Sequence, residues 1–474
     1  MSLTDLTTTE PLKRCARASE LTYAGQYEQA KEALGGLWRG VGERPAVDDH
    51  SPKTTAEVLL QCGALSGFLG DAQARDVQEK SKDMLSEALR LFQAGGNSVK
   101  VSEAKCELGC CYFRLGAYDE ARIVFGEAFN GATPELRGKI VIGSAIVEIF
   151  TGNYEKAHHV LMDAKPFFDE ASDALRGRWH GVMGLLLRRT ARGRIEYFDR
   201  SIIEFTAAIY HCEQAGHIRY CGRNINNLAP ILYKLGRYAE AHEQLDRAHL
   251  IFSRLRDEGN VAQVEETRAR AFIAEGRYVD ALRVIKSVVE VFEPSGESAL
   301  LVDALTNKAI AHARLGDRAE AAGTFRQAVS LGEESGARFN MGLAAISMME
   351  EIKLSSRALF RAYRTADECF SQTQDEEVIA RLRGCARLAV NQLGGPELDK
   401  NFSLKSAMHL LESKYIEEAL TKSEGRITKA ASLLGISHQA LRNMLDNRHK
   451  NLLGNRLPLT KRRKSIIKHH SRFS

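Results

Sequence analysis

One short phrase recurs along this 474-residue chain: a glycine, any residue, an aromatic, two residues, then an alanine. It reads GQYEQA from Gly25, GAYDEA from Gly116, GNYEKA from Gly152, GRYAEA from Gly236 and GRYVDA from Gly276. GDRAEA from Gly316 has lost the aromatic, and weaker echoes stand at Gly70 and Gly193. Successive glycines are 45, 46, 36, 41, 43, 40 and 40 residues apart. A unit of that length cannot bury its apolar face alone, so tandem copies must stack into a solenoid. Within each unit the glycine ends a first helix, because it tolerates the left-handed backbone of a helix stop. The tyrosine packs across the turn, and the alanine leaves room for the two helices to approach. Leu245, Ala248 and Phe252 then recur at helical spacing as the inner face of a second helix.

This pattern resembles the tetratricopeptide repeat over roughly residues 12–390, with Gly116, Gly152, Gly236 and Gly276 carrying it best. The period is longer than that family's usual 34, which implies extended helices. HEAT-type repeats share the longer period but lack the Gly-x-Tyr-x-x-Ala turn. The fold class expected is therefore all-α: a tetratricopeptide-like solenoid of about eight hairpins, followed by a small helix-turn-helix domain. The resemblance implies that the first helix of each pair lines the concave face, where asparagines grip an extended peptide. Asn227 and Asn307 each stand nine residues before a repeat glycine, with Arg223 and Asn224 one turn ahead of the former. These four are the candidate contacts for a protein or peptide ligand; the alternative is an asparagine bonded to its neighbouring repeat.

Along the chain, residues 1–10 are expected to be frayed and 11–390 to form the solenoid. Two prolines in GVGERPAVDDHSP mark a loop at 40–52, and SSRALFRAYRTADECF falls one period after Gly316 as a degenerate capping pair. Gly, Gly and Pro concentrate at 391–402, a linker. A helical domain follows at 403–453 and a basic tail at 454–474.

Three helices are predicted in that last domain. The first runs from about Leu404 to Ser423, with Leu410, Leu411, Tyr415, Ile416, Ala419 and Leu420 on one side, and stops at Gly425. A short second helix carries Ala430, Ala431, Leu433 and Leu434. After the corner Gly435-Ile436-Ser437, a third starts at His438 with Leu441, Met444 and Leu445 on its inner side. Short helix, glycine turn, helix with a polar outer face is the layout of a helix-turn-helix. GRITKAASLLGISHQALRNML resembles the Fis-type motif of nucleoid proteins and bacterial enhancer-binding activators. One departure is Gly425-Arg426, where the family has Gly-Asn, which weakens capping of the second helix. Ser437, His438, Gln439, Arg442 and Asn443 are then expected to face the major groove, Arg442 suiting guanine and Gln439 or Asn443 adenine. Thr428, Lys429, Arg448 and Lys450 are expected to hold phosphates. The resemblance also implies a homodimer through the helix at 404–423 and two-fold symmetric sites in double-stranded DNA.

Charge follows the same division. Residues 401–474 carry 15 Lys/Arg against 5 Asp/Glu, whereas residues 1–400 carry 51 against 56. The basic surplus lies on the domain that resembles a DNA binder, where it raises affinity for phosphate without conferring sequence specificity. Nine cysteines without a CxxC pair suit a reducing cytoplasm. The N-terminal stretch has no signal-peptide pattern, and no apolar run reaches the length of a membrane span. No P-loop, HExxH, GxSxG or dinucleotide fingerprint is present, so neither an enzyme nor a cofactor is expected. Cys106, Cys110 and Cys111 lie one turn apart but lack companions for a four-ligand metal site. The adjacent pairs His158-His159 and His469-His470 point apart on a helix, and no metal is assigned to them. Two functions remain: a DNA-binding transcriptional regulator whose solenoid takes a protein or peptide, or a scaffold whose last domain only dimerises.

Overall fold

The repeat phrase sets the architecture through backbone geometry. In the computed structural model, which describes residues 3–69, 75–191, 194–295, 297–371, 373, 375–392 and 403–455, every regular element is helical. The expected linker positions 393–402, the tail from 456 onward with His469-His470, and the echoes at Gly70 and Gly193 lie outside the described residues.

Helices run in pairs through the first of two units, Met1–Ala389. The series begins α1 (Leu3–Tyr23) with α2 (Tyr27–Leu34), and α3 (Pro52–Leu69) with α4 (Arg75–Ala94). It continues α5 (Ser98–Arg114) with α6 (Tyr118–Phe129), and α7 (Pro134–Phe150) with α8 (Tyr154–Asp163). A short α9 (Lys165–Asp169) intervenes before α10 (Asp173–Thr190) with α11 (Ile195–Gln214), and α12 (Ile218–Lys234) with α13 (Tyr238–Arg254). Then come α14 (Glu258–Glu275) with α15 (Tyr278–Ser295), and α16 (Ser298–Leu315) with α17 (Arg318–Ser335). The capping pair is α18 (Arg338–Glu351) with α19 (Ser356–Phe370), and α20 (Glu376–Gln392) follows. α1 begins within the ten residues expected to be frayed, and the loop at 40–52 folds against Trp38, whose indole N–H donates to the Glu43 carbonyl.

The phrase works as its chemistry requires. Gly116, Gly236 and Gly276 have φ of 76°, 75° and 85°. Beyond each, the next N–H reaches back to close the helix: Ala117 to Tyr112 O at 2.9 Å, Arg237 to Leu232 O at 2.9 Å, Arg277 to Phe272 O at 2.8 Å. The six phrase alanines, Ala30, Ala121, Ala157, Ala241, Ala281 and Ala321, are all at 0% exposure, which makes them the points of closest helix approach. Further on, Phe125, Phe252 and Phe292 fill the space between hairpins.

The first helices of the pairs, here called A helices, pack one on the next from α1 to α18. The ribbon they form winds back on itself. The turn at Gly25 meets the ring of His217, and Arg219 lies over the Tyr27 ring. Further along, the Tyr154 hydroxyl donates to Asp375 Oδ2 at 2.9 Å, a contact spanning 221 residues. The A helices therefore enclose two successive interiors, a first turn bounded by α1 to α12 and a second by α10 to α20.

In the second unit, Val390–Ser474, α21 (Leu404–Lys422), α22 (Ile427–Leu433) and α23 (His438–Asn447) share one small core. Ile416, Ala419, Leu420, Ala430, Ala431, Leu441, Leu445 and Leu452 fill it. α21 stops through two left-handed residues, Glu424 (φ 55°) and Gly425 (φ 75°), and the Gly425 N–H returns to Leu420 O at 2.8 Å. The short side chains of Ala430 and Ala431 let α22 cross its neighbours closely.

Candidate functional sites

Gly435, at φ 64°, turns the chain between α22 and α23, and Ser437 caps α23 by accepting the Ala440 N–H at 3.1 Å. Leu441 and Leu445 hold α23 on the core, so helical periodicity turns His438, Gln439 and Asn443 outward. All three are exposed and Arg442 is half-buried; none of the four is hydrogen-bonded within the protein. Ser437 is also exposed, but its hydroxyl oxygen is already engaged in the cap. Thr428 and Lys429 are exposed at the start of α22, whose N-cap residue Arg426 gives no side-chain cap, the consequence of the missing asparagine.

At the far end of α23 the structure adds a clasp. Arg448 Nη1 meets Glu412 Oε1 at 3.3 Å, and the buried His449 places Nε2 3.1 Å from Glu412 Oε2. His409 on α21 stacks on His449 and meets the Arg448 carbonyl at 2.7 Å. Arg448 thus ties α23 to α21, while Lys450 stays exposed. α21 also presents an apolar stripe that its own domain does not cover: Met408, Leu410, Leu411 and Tyr415, with Leu410 73% and Tyr415 51% exposed.

The four solenoid candidates do not form one group. Arg223 is exposed and acts electrostatically on Tyr27 and His217, which places it by the first turn. Asn224 is buried, with Nδ2 toward Cys212 Sγ at 3.8 Å and Oδ1 against Gly181, so its amide packs α12 on α10 and α11. Asn227 is half-buried and without a protein hydrogen bond. Asn307, in the second turn, donates to Glu266 Oε1 at 2.6 Å, and Glu266 also pairs with Arg270 at 2.8 Å. That is the bond to a neighbouring repeat that was the alternative reading of these asparagines. Burial pushes the Glu266 carboxyl up to about 7 despite Arg270. On the same interior, burial and the nearby Arg189 and Arg270 pull Arg188 down to about 9. Arg270 Nε is buried there without a partner, as is Asn226 Oδ1 on α12.

Elsewhere, Cys106 and Cys111 are buried and Cys111 donates to the Gln78 carbonyl at 3.1 Å. His158 and His159 stand edge to face, their ring centres 6.4 Å apart. Among the described residues no group of three His, Cys, Asp or Glu is arranged to hold a metal, and no helix is long and apolar enough to cross a membrane.

Residues 407–446 match the model of the bacterial regulatory proteins of the Fis family. The second unit is a Fis-family helix-turn-helix domain. Three tetratricopeptide-repeat models match residues 102–130, 225–255 and 306–368 of the first unit. Both are families of typically non-enzymatic domains. Among solved structures, the chain is similar to a Rap protein complexed with Competence and Sporulation Factor, at 14% identity over 81% of this chain and 99% of that one, with a TM-score of 0.51. It is also similar to the apo form of the quorum sensor NprR from B. thuringiensis, at 16% identity over 68% and 87% of the two chains, with a TM-score of 0.49. No curated protein sequence matches it.

Within the Fis-family domain, sequence reasoning missed the Glu412–His449–His409 clasp. The signal was faint: His409 and Glu412 stand one turn apart on α21 and His449 is 37 or more residues further on, joined to them only once the chain beyond the third helix folds back. In the tetratricopeptide solenoid it missed the charged interiors, whose members are scattered over successive repeats.

Proposed function

We propose that the chain is a dimeric, sequence-specific DNA-binding transcriptional regulator whose solenoid binds a protein or peptide partner. The observation that carries the first part is the outer face of α23: His438, Gln439, Arg442 and Asn443, polar and unengaged, behind a glycine turn of helix-turn-helix form. A helix with such a face fits the major groove, where arginine pairs with guanine and glutamine or asparagine with adenine. Thr428, Lys429 and Lys450 flank it as phosphate contacts, with Arg448 joining them by leaving its weak surface ion pair to Glu412. The uncovered stripe of Met408, Leu410, Leu411 and Tyr415 is where a second copy packs, and a two-fold dimer reads a two-fold operator.

For the solenoid, support comes from the second-turn interior. Arg270 Nε lacks an acceptor and Asn226 Oδ1, on α12, lacks a donor within the protein, and Asn227, next to Asn226 in the sequence, has a free amide. A peptide backbone supplies both groups in alternation. The Rap protein of similar fold was solved with Competence and Sporulation Factor bound, a further reason to look for a ligand here.

Gel shifts of the full chain against genomic fragments test the DNA reading. Binding that persists at physiological salt and resists competitor DNA supports it. Binding that vanishes under competitor, with dimers intact in sedimentation, leaves a scaffold instead.

A further inference from the structure

The first turn of the solenoid holds charges that neither DNA binding nor the second-turn groove uses. The A helices α1, α3, α5, α7, α10 and α12 line a cavity of about 100 Å³ there, several times the space one water needs. Glu107 on α5, Lys139 on α7 and Arg178 on α10 all face it. Among the described residues, Glu107 has no cation within ion-pair distance, and neither Lys139 nor Arg178 has a carboxylate. The two cations rest on aromatic rings instead. Lys139 Nζ is 3.0 Å from the centre of the Tyr23 ring, and the Arg178 guanidinium lies 5.2 Å from that of Tyr220.

Charges withdrawn from water are ordinarily paired, because an unpaired one carries its full desolvation cost. Two of these three half-buried groups register that cost, burial pushing the Glu107 carboxyl up and the Lys139 amine down, whereas at Arg178 the nearby Tyr220 and Cys110 outweigh burial. His217, closing the cavity against Gly25, is buried with Nδ1 unpartnered, and burial together with Arg178 lowers it to about 3. It is therefore a neutral ring, able to give or accept one hydrogen bond. A partly open site with a half-buried unpaired acid in Glu107, a second, exposed acid in Glu135, two unpaired bases and a neutral imidazole is complementary to a small body carrying both signs of charge.

We propose that this first-turn cavity binds a small zwitterion of the amino-acid class, its carboxylate toward Arg178 and Lys139 and its ammonium toward Glu107. Two cations stand ready for the carboxylate, and Glu107, with Glu135 also on the lining, for the ammonium. A plain anion leaves Glu107 unpaired, and a plain cation leaves Arg178 and Lys139 so. Tyr23, Tyr27 and Tyr220 also line the cavity. The site belongs to the first unit and does not depend on the chain binding DNA.

The test is a melting-temperature screen of the full chain against the twenty L-amino acids, singly and at millimolar concentration, followed by titration calorimetry. At least one is expected to raise the melting temperature and bind one to one. Its N-acetyl and its amide derivatives, each lacking one charge, are expected to bind more than about tenfold more weakly, the scale of a lost buried pair. Glu107→Gln and Arg178→Gln should weaken binding by a similar factor while keeping the helical circular dichroism of the parent. A readout without any variant is alkylation of Cys110, which lines the cavity and whose thiol pKa is lowered by a hydrogen bond from Cys106. The ligand should slow that reaction. The proposal falls if no amino acid raises the melting temperature or protects Cys110. It falls equally if a capped derivative binds as tightly as its parent.

Discussion

Two glycines in one hairpin should respond to the same substitution with opposite signs. Gly109 lies inside α5, and a Cβ there would come within 2.6 Å of Phe125 Cε1, with two more ring atoms at 2.8 and 2.9 Å. Carbon atoms pack best at ~3.5–4.0 Å, so the ring must retreat by about 1 Å. It has nowhere to go. Gly143 on α7 also presses on it, a Cβ there meeting Phe125 Cζ at 2.6 Å, and the ring is 1% exposed. Forcing a methyl into such a slot costs ~1–3 kcal/mol, and the tight side of that range applies here. Alanine returns ~1 kcal/mol of helix propensity over glycine. Gly109→Ala is therefore expected to destabilise by roughly 1–2 kcal/mol. Gly126, on α6 of the same hairpin, is exposed and a Cβ there meets nothing within 4 Å. Gly126→Ala keeps the propensity gain alone and should stabilise by ~0.5–1 kcal/mol. Stacked repeats open piecewise, so the reading belongs to hydrogen exchange of the α5 and α6 amides as well as to urea midpoints. Equal stability of the two variants would refute the packing argument, because propensity alone predicts the same gain at both sites.

Three further outcomes can be checked. Arg442→Ala should cost ~1–3 kcal/mol at one operator position in a binding-site selection, whereas Lys429→Ala should weaken all sequences alike and reduce the salt slope by about 1. A uniform loss for Arg442 would make it a phosphate contact. Leu410→Glu combined with Tyr415→Glu should convert a dimer to a monomer in sedimentation while the second unit still melts as before, because both side chains are exposed; an unchanged mass refutes the stripe as the dimer contact. Glu148→Gln should flatten the acid limb of the stability curve. Burial alone would raise the Glu148 carboxyl, but Arg122 at 2.9 Å, Lys156 at 2.7 Å and Asn153 at 2.9 Å outweigh it and hold it down to about 2, below its ordinary 4.5. Its contribution is thus complete above about 4.5 and is lost as pH falls toward 2. A variant whose acid unfolding matches the parent's would sink this.

The parts of the fold that were legible are those where one residue has one physical task. A glycine at φ 75° followed by an alanine at 0% exposure, as at Gly236 and Ala241, states the same requirement in sequence and in space. The corner at Gly435 and the crossing at Ala430 and Ala431 are of that kind, which is why three helix boundaries near the C-terminus were readable within a residue or two. Depth was harder. Asn224 and Asn227 are three residues apart on one helix, yet the first has its amide locked between helices and the second has it free. Spacing fixes the side of a helix a residue lies on; how far the neighbouring helix overhangs that side is decided elsewhere.

The overhang is set by residues outside the repeat phrase, and this is where the charged interiors were hidden. Glu107, Lys139 and Arg178 occupy three different A helices, each reading in isolation as a solvated charge on a helix surface. They become neighbours because the ribbon curls, and it curls because glycines such as Gly109, Gly143, Gly184 and Gly222 let large rings from the second helices press onto the A helices. Each such contact draws one edge of the stack tighter than the other. Summed over five hairpins, that asymmetry brings the turn at Gly25 onto His217 and closes the first interior. A solenoid of the same period with alanines at those glycines would hold its hairpins further apart, and the same three charges would face water.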